Sequence, residues 1–188
     1  MIDLAPIKSL THNKIANMLK ERNTSSVLDM GGVGRLKKFI DIDIADANII
    51  DGQDCTKLDM PDNSFDATIS VATLEHIKPE KQKLFIDEAL RIAKKTSIHW
   101  FPVGPLAEKT DALKLKHGHK HNSHIPSVKF IEDLKTKHDK SDIEPFMTIQ
   151  EHLLLLASIR SGLSTKEIYD FALKHKNKYY GCIWYCDL

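Results

Sequence analysis

The stretch Val27-Leu28-Asp29-Met30-Gly31-Gly32-Val33-Gly34 constrains this chain more than any other. An apolar run that ends in an acid and a glycine-rich turn, followed by a short helical pattern from Gly34 to Phe39, reads as a strand–turn–helix unit. Glycines let the backbone come close to a ligand. The helix N-terminus behind them adds unpaired N–H groups and partial positive charge. Such a turn suits a nucleoside-bearing cofactor, but a bare tight connection has the same look. The segments downstream decide between the two.

The pattern continues as alternating strands and helices. A leading amphipathic helix within residues 1–24 carries Ile15, Met18 and Leu19 at helical spacing, and Ser26–Met30 is the first strand. Ile40-Asp41-Ile42-Asp43-Ile44 alternates as a second strand, Asn48-Ile49-Ile50 is a brief third, and Phe65–Val71 a fourth. Pro79 suits the first turn of a helix that lines up Phe85, Ala89, Ile92 and Ala93. Ser97–Val103 is a fifth strand, and residues 101–126, rich in Lys and His, read as a lid or substrate loop. A helix opens at Ser127 and runs toward Lys137, and Ile143–Ile149 is a sixth strand. A helical insertion over 151–176, with the capping box Ser164-Thr165-Lys166-Glu167, precedes an aromatic strand from Tyr179 to Tyr185. The expected fold is therefore α/β: a Rossmann-like, doubly wound three-layer α/β/α domain over residues 1–188. Its sheet is mainly parallel with a terminal antiparallel strand, and ligands are expected at the carboxyl ends of the strands.

Bulk composition narrows the partners. The chain has 188 residues, enough for one full core. Its formal net charge of +1 gives no global attraction to nucleic acid or to an acidic membrane. The longest apolar run, Leu153–Ala157, is far short of the ~20 residues of a spanning helix. Cys55, Cys182 and Cys186 have no metal-type spacing, and with no signal-peptide pattern the expectation is a cytoplasmic chain with reduced thiols. The segment His117-Gly118-His119-Lys120-His121-Asn122-Ser123-His124 can be read as a solvated lid, a substrate contact or a metal site. The first is favoured, and no metal is expected. Oligomeric state is left open, a homodimer included.

Three further segments extend the opening motif: Leu58-Asp59-Met60-Pro61, Ser64-Phe65-Asp66 and Leu74-Glu75-His76. In this order, and with Val27-Leu28-Asp29-Met30-Gly31 ahead of them, the chain resembles the class I S-adenosylmethionine-dependent methyltransferases, in their compact small-molecule (type 11-like) branch. The resemblance covers about residues 25–103. It implies that Gly31, Gly32 and Gly34 pass beneath the methionine part of the cofactor, and that Asp29 organises the turn or receives the cofactor amine. It also implies Asp43 on the ribose hydroxyls, with Asp51 a rival, and Asp54 with the Cys55 N–H on the adenine. Ala72 and Thr73 would lie near the reactive methyl. His76, or a lid histidine such as His119 or His124, could serve as general base if the acceptor must lose a proton.

The sequence departs from the family pattern in three places. Val33 and Arg35 stand where later glycines are usual, the interval from Asp43 to Asp54 is too short for a full helix, and Lys94-Lys95-Thr96 replaces a Pro-Gly-Gly turn. The expected activity is methyl transfer to an oxygen, nitrogen or carbon nucleophile on a small molecule. Two alternatives stand beside it: a non-catalytic partner-binding module of the same fold, and a nicotinamide oxidoreductase built on Gly32-Val33-Gly34.

Overall fold

The order in which the strands pair is what brings this chain's turns together at one edge of the sheet. In the computed structural model, which describes residues 5–48, 51–116, 123–148, 152, 170, 171, 173–175 and 177–188, six strands form one sheet: β1 (Ser26–Met30), β2 (Asp43–Ala47), β3 (Phe65–Val71), β4 (Ala93–Pro102), β5 (Ser141–Thr148) and β6 (Tyr179–Asp187). Their order is β2-β1-β3-β4-β6-β5. β1 pairs in parallel with β2 and β3, and β3 with β4, while β6 runs antiparallel between β4 and β5. The carboxyl ends of β1 to β4 therefore share one edge, and the amino end of β6 returns to it, with Gly181 opposite Pro102.

Residues that alternate along each strand serve two different layers. On one face, Val27, Ala67, Ile69, Ile98, Trp100 and Ile183 pack with Ile15, Met18 and Leu19 of α1 (Ala5–Glu21) and Ala107 of α3 (Gly104–Lys116). On the other, Leu28, Met30, Phe101 and Trp184 pack with Phe85, Ile86 and Ala89 of α2 (Pro79–Ile92) and with Ile131 and Leu134 of α4 (Val128–Lys137). Each fully buried Leu, Ile or Phe contributes about 1.5–3 kcal/mol, so both layers are needed to hold the sheet. Pro79 opens α2, and the Ser127 hydroxyl accepts the Phe130 N–H at the start of α4, satisfying one orphan donor there.

A polar chain runs through the α2 layer. Thr68 Oγ1 donates to the Ala89 carbonyl (3.1 Å) and meets Ser97 Oγ (2.7 Å); His99 bridges Ser97 through Nε2 (2.6 Å) and Ser70 through Nδ1 (2.8 Å). Burial pushes His99 down to about 3, so the ring stays neutral and serves as a donor–acceptor link between β3 and β4. On the surface, Arg91 of α2 bonds Glu88, Asp62 and the carbonyls of Met60 and Leu58, which fastens the loop before β3 to the helix.

Three expectations change here. β2 begins at Asp43 and not at Ile40, because its pairing partner Ser26 sets the register. Gly104–Lys116 is helix α3 and not loop. β4 starts four residues before Ser97. The strand at Asn48–Ile50, the helix over 152–159 and the capping-box helix at Ser164 fall wholly or largely outside the described residues.

Candidate active site

β1 delivers Asp29 to the common edge, buried at 3% exposure on the α1/α3 face. Gly31 then takes φ +88°, a left-handed conformation that favours glycine, and its N–H donates to the last carbonyl of β2, Ala47 (2.5 Å). The corner has no room for side chains. A Cβ at position 31 would strike the Thr73 side chain, and one at position 32 would strike the Asp29 carboxyl. Val33, in place of a usual glycine, is 53% exposed, so its side chain is turned largely to water.

β2 brings a different acid to this edge than the sequence suggests. Asp43 lies at the amino end of β2, across from Ser26, about 10 Å of strand away from Asp46. Asp46 pairs in register with Asp29 near the carboxyl ends. Its Oδ1 accepts the Gly34 N–H (3.1 Å), and its Oδ2 meets Lys37 Nζ (3.3 Å). Of the two β2 acids, Asp46 is therefore the one at this edge, and Asp43 is at the opposite end of the strand. Asn48 completes the corner: its Nδ2 donates to the Gly32 carbonyl (3.2 Å) and to Asp51 Oδ2 (2.8 Å).

Burial raises Asp29 to about 7. The nearby Asp46 charge adds to that rise, against the pull of Arg35 and Lys37. A carboxyl so placed gains from a cationic partner. Asp54 is different. Exposed, it accepts the Thr56 hydroxyl (2.6 Å) and amide (2.9 Å) and meets Lys81 (3.2 Å), and these bonds pull it down to about 2. The Cys55 thiol donates to the Ala47 carbonyl (3.3 Å), and burial pushes it up to about 11.

At the end of β3, Ala72 takes φ +55°, a strained conformation for a residue with a Cβ, and donates its N–H to Trp100 (3.0 Å). Thr73 lies against Gly31, and the 3-10 turn Leu74–His76 comes next. His76 is exposed on that turn. The His124 N–H donates to the Glu75 carbonyl (2.6 Å), and its own carbonyl accepts from Gln82 (2.7 Å), so His124 is anchored beside the turn. His119 lies outside the described residues. Among the described residues no three His, Cys, Asp or Glu side chains are grouped to hold a metal ion, and no helix is long and apolar enough to cross a membrane.

The structure also gathers residues that sequence reasoning missed. Glu75, on the turn, is buried, and its Oε2 has no hydrogen-bond partner among the described residues. Lys114 and Asp111 of α3 form a buried ion pair (2.7 Å), Lys114 donates to the Tyr180 hydroxyl (3.1 Å), and Ser123 donates to Asp111 (2.8 Å). One signal could have found them: Ala107, Thr110, Asp111 and Lys114 have helical spacing, with polar residues on the inner face.

Residues 28–101 match the model of a methyltransferase domain. A search of curated proteins finds no match. Among solved structures, the chain is similar to a SAM-dependent methyltransferase from Archaeoglobus fulgidus, at 16% identity and TM-score 0.60, covering 94% of each chain. It is similar to magnesium protoporphyrin IX methyltransferase from Synechocystis PCC 6803 with bound SAH, at 13% identity and TM-score 0.56, covering 96% of this chain and 83% of that one. It is also similar to the small RNA methyltransferase HEN1, at 11% identity and TM-score 0.65, covering all of this chain and 26% of that one. At these identities the methyltransferase domain and these structures share the fold, a Rossmann-like, mainly parallel sheet with one antiparallel strand.

Proposed function

We propose that this chain transfers a methyl group from S-adenosylmethionine to a nucleophile on a small molecule. The observation that carries the reading is the corner where Gly31 and Gly32 leave no space for a Cβ between Thr73 and Asp29. A glycine corner packed closely against Thr73, beside a buried carboxyl raised to about 7, suits an amine-bearing ligand laid across the strand ends. In this reading Gly31 and Gly32 support the methionine part, and Asp29 faces its ammonium. Asp46, with Asp51 as its rival, replaces Asp43 on the ribose. Asp54 and the Cys55 N–H would meet adenine, with Asp54 sharing its oxygens between the ligand, Thr56 and Lys81.

The bound cofactor supplies a methyl already activated by positive sulfur. The chain's own residues then have to align the acceptor, exclude water and, for some acceptors, remove a proton. Ala72 and Thr73 form the floor next to that acceptor, and His124 and His76 flank the same turn. A small acceptor is favoured over a nucleic acid by the net charge of +1 and by the interior position of the polar cluster beyond Thr73.

Titration calorimetry with S-adenosylmethionine, S-adenosylhomocysteine and NADH tests this. Binding of the first two and not the third is the expected result. Binding of neither adenosyl compound removes the enzymatic reading, and binding of NADH alone replaces it.

A further inference from the structure

The cluster of Glu75, Asp111, Lys114, Ser123 and Tyr180 is buried, polar and unused by the cofactor. Lys114 pairs with Asp111 Oδ1 (2.7 Å) and donates to the Tyr180 hydroxyl (3.1 Å), and Ser123 donates to Asp111 Oδ2 (2.8 Å). Glu75 stands apart from this ion pair. At 4% exposure its Oε2 has no donor among the described residues, and it shares the site with one cation and a second anion. With Glu75 ionised these three charges sum to minus one in a water-excluded place. That arrangement is costly unless something brings both a positive charge and an N–H. Glu75 also lies two residues beyond Thr73, which closes over the Gly31 corner.

Resting on the methyl-transfer reading above, we infer that this cluster is the acceptor site, that it takes a primary or secondary amine as its ammonium, and that Glu75 is the group that pairs with the amine and removes its proton. The ammonium fills the vacant place on Oε2 and cancels the surplus charge. A neutral alcohol could supply the hydrogen bond and not the charge. The proton passes from the ammonium nitrogen to Oε2. The freed lone pair forms the N–C bond while the C–S pair returns to sulfur, and the product departs as a methylated ammonium. Glu75 then releases its proton to solvent. The rise of Glu75 to about 7, caused by burial first and by Asp111, with Lys114 opposing, is consistent with such a base.

The test is calorimetry on the full chain saturated with S-adenosylhomocysteine. The probes are benzylamine and cyclohexylamine, each set against its isosteric alcohol, on wild type and on Glu75→Gln. The expected result is that both amines bind, bind about tenfold more weakly to E75Q, and are preferred over the alcohols in wild type only. Methyl transfer from labelled S-adenosylmethionine to the amines should fall by about 10²-fold or more in E75Q with S-adenosylhomocysteine affinity unchanged. A pH profile of amine binding, read with Asp111, Lys114, Tyr180, His124 and the stacked His152 also facing the cluster, should lose its step near 7 in E75Q. Thermal melting confirms that the variant is folded, and Lys114→Met is a second variant, expected to keep the preference for amines over alcohols, since it removes the competing cation and leaves Glu75 in place. Alcohols binding as well as amines, or amines binding equally to wild type and E75Q, overturns the inference and leaves the methyl-transfer reading intact. Failure of S-adenosylhomocysteine to bind at all overturns both.

Discussion

The carboxyl of Asp29 fills the space that a side chain at position 32 would need. The two residues are therefore coupled: the glycine exists for the aspartate's sake as much as for a ligand's. Gly32→Ala should cost about 1–3 kcal/mol in chemical denaturation, as expected for overpacking against a buried group. Adding Asp29→Ala should recover part of that loss, because the carboxyl that collides is gone. A strictly additive double mutant would show that the contact is not the cause.

The two acids of β2 separate cleanly. Asp46 holds the Gly34 N–H and Lys37 at the carboxyl end of the strand, whereas Asp43 is exposed at the other end. Asp46→Asn should weaken S-adenosylhomocysteine binding by at least about tenfold, the loss of one charge-assisted bond and of the turn it orders. Asp43→Asn should change it less than twofold. Calorimetry on both variants decides, and the reverse ranking would restore Asp43 to the site.

Glu75 gives a stability signature that is independent of any ligand. Its folded pKa of about 7 lies above the ordinary 4.5, so the folded chain holds the proton more tightly than the unfolded one. The stability this contributes is present below about pH 4.5 and is lost as the pH rises to about 7. Relative to wild type, Glu75→Gln should therefore gain stability between these limits, on the order of 1–3 kcal/mol at pH 8, with little gain at pH 4. Denaturation at the two pH values provides the comparison, and a gain of equal size at both would contradict the account.

His99 shifts in the opposite sense. Its folded pKa of about 3 lies below the usual 6.5, so charging it by acid works against the fold from about pH 6.5 downward. The His99 ring resonances should not titrate between pH 8 and pH 4. His99→Ala should cost about 3–5 kcal/mol, since it opens a cavity, removes the ring that the Ser70 hydroxyl meets and leaves Ser97 with Thr68 alone.

Much of the fold is legible in the sequence because the central strands obey simple patterns. Ser26–Met30 and Phe65–Val71 are read with the boundaries they have, and Pro79 marks the start of its helix. The misses are physical. Ile40-Asp41-Ile42-Asp43-Ile44 alternates like a strand, yet pairing with β1 admits only the part from Asp43 onward. That slip of three residues leaves Asp43 at the amino end of β2 and brings Asp46 near its carboxyl end. α3 escaped notice because its buried face is Ala107, Thr110, Asp111 and Lys114, and a hydrophobic period cannot detect a helix whose inner face is polar. Glu75 was visible as part of Leu74-Glu75-His76, but nothing in the residues alone says that its carboxyl is enclosed. The histidines drew attention by their number, whereas the charged groups enclosed with Tyr180 are a glutamate, an aspartate and a lysine, with His152 stacked on its ring.

The central claim concerns what lies across the ends of β1 and β2. A crystal structure of the chain grown with S-adenosylhomocysteine addresses it most directly. The account predicts the ligand over Gly31 and Gly32, with its amine at Asp29 and its ribose at Asp46 or Asp51. Clear density for the protein with that crevice empty, at ligand concentrations that saturate other methyltransferases, would contradict it.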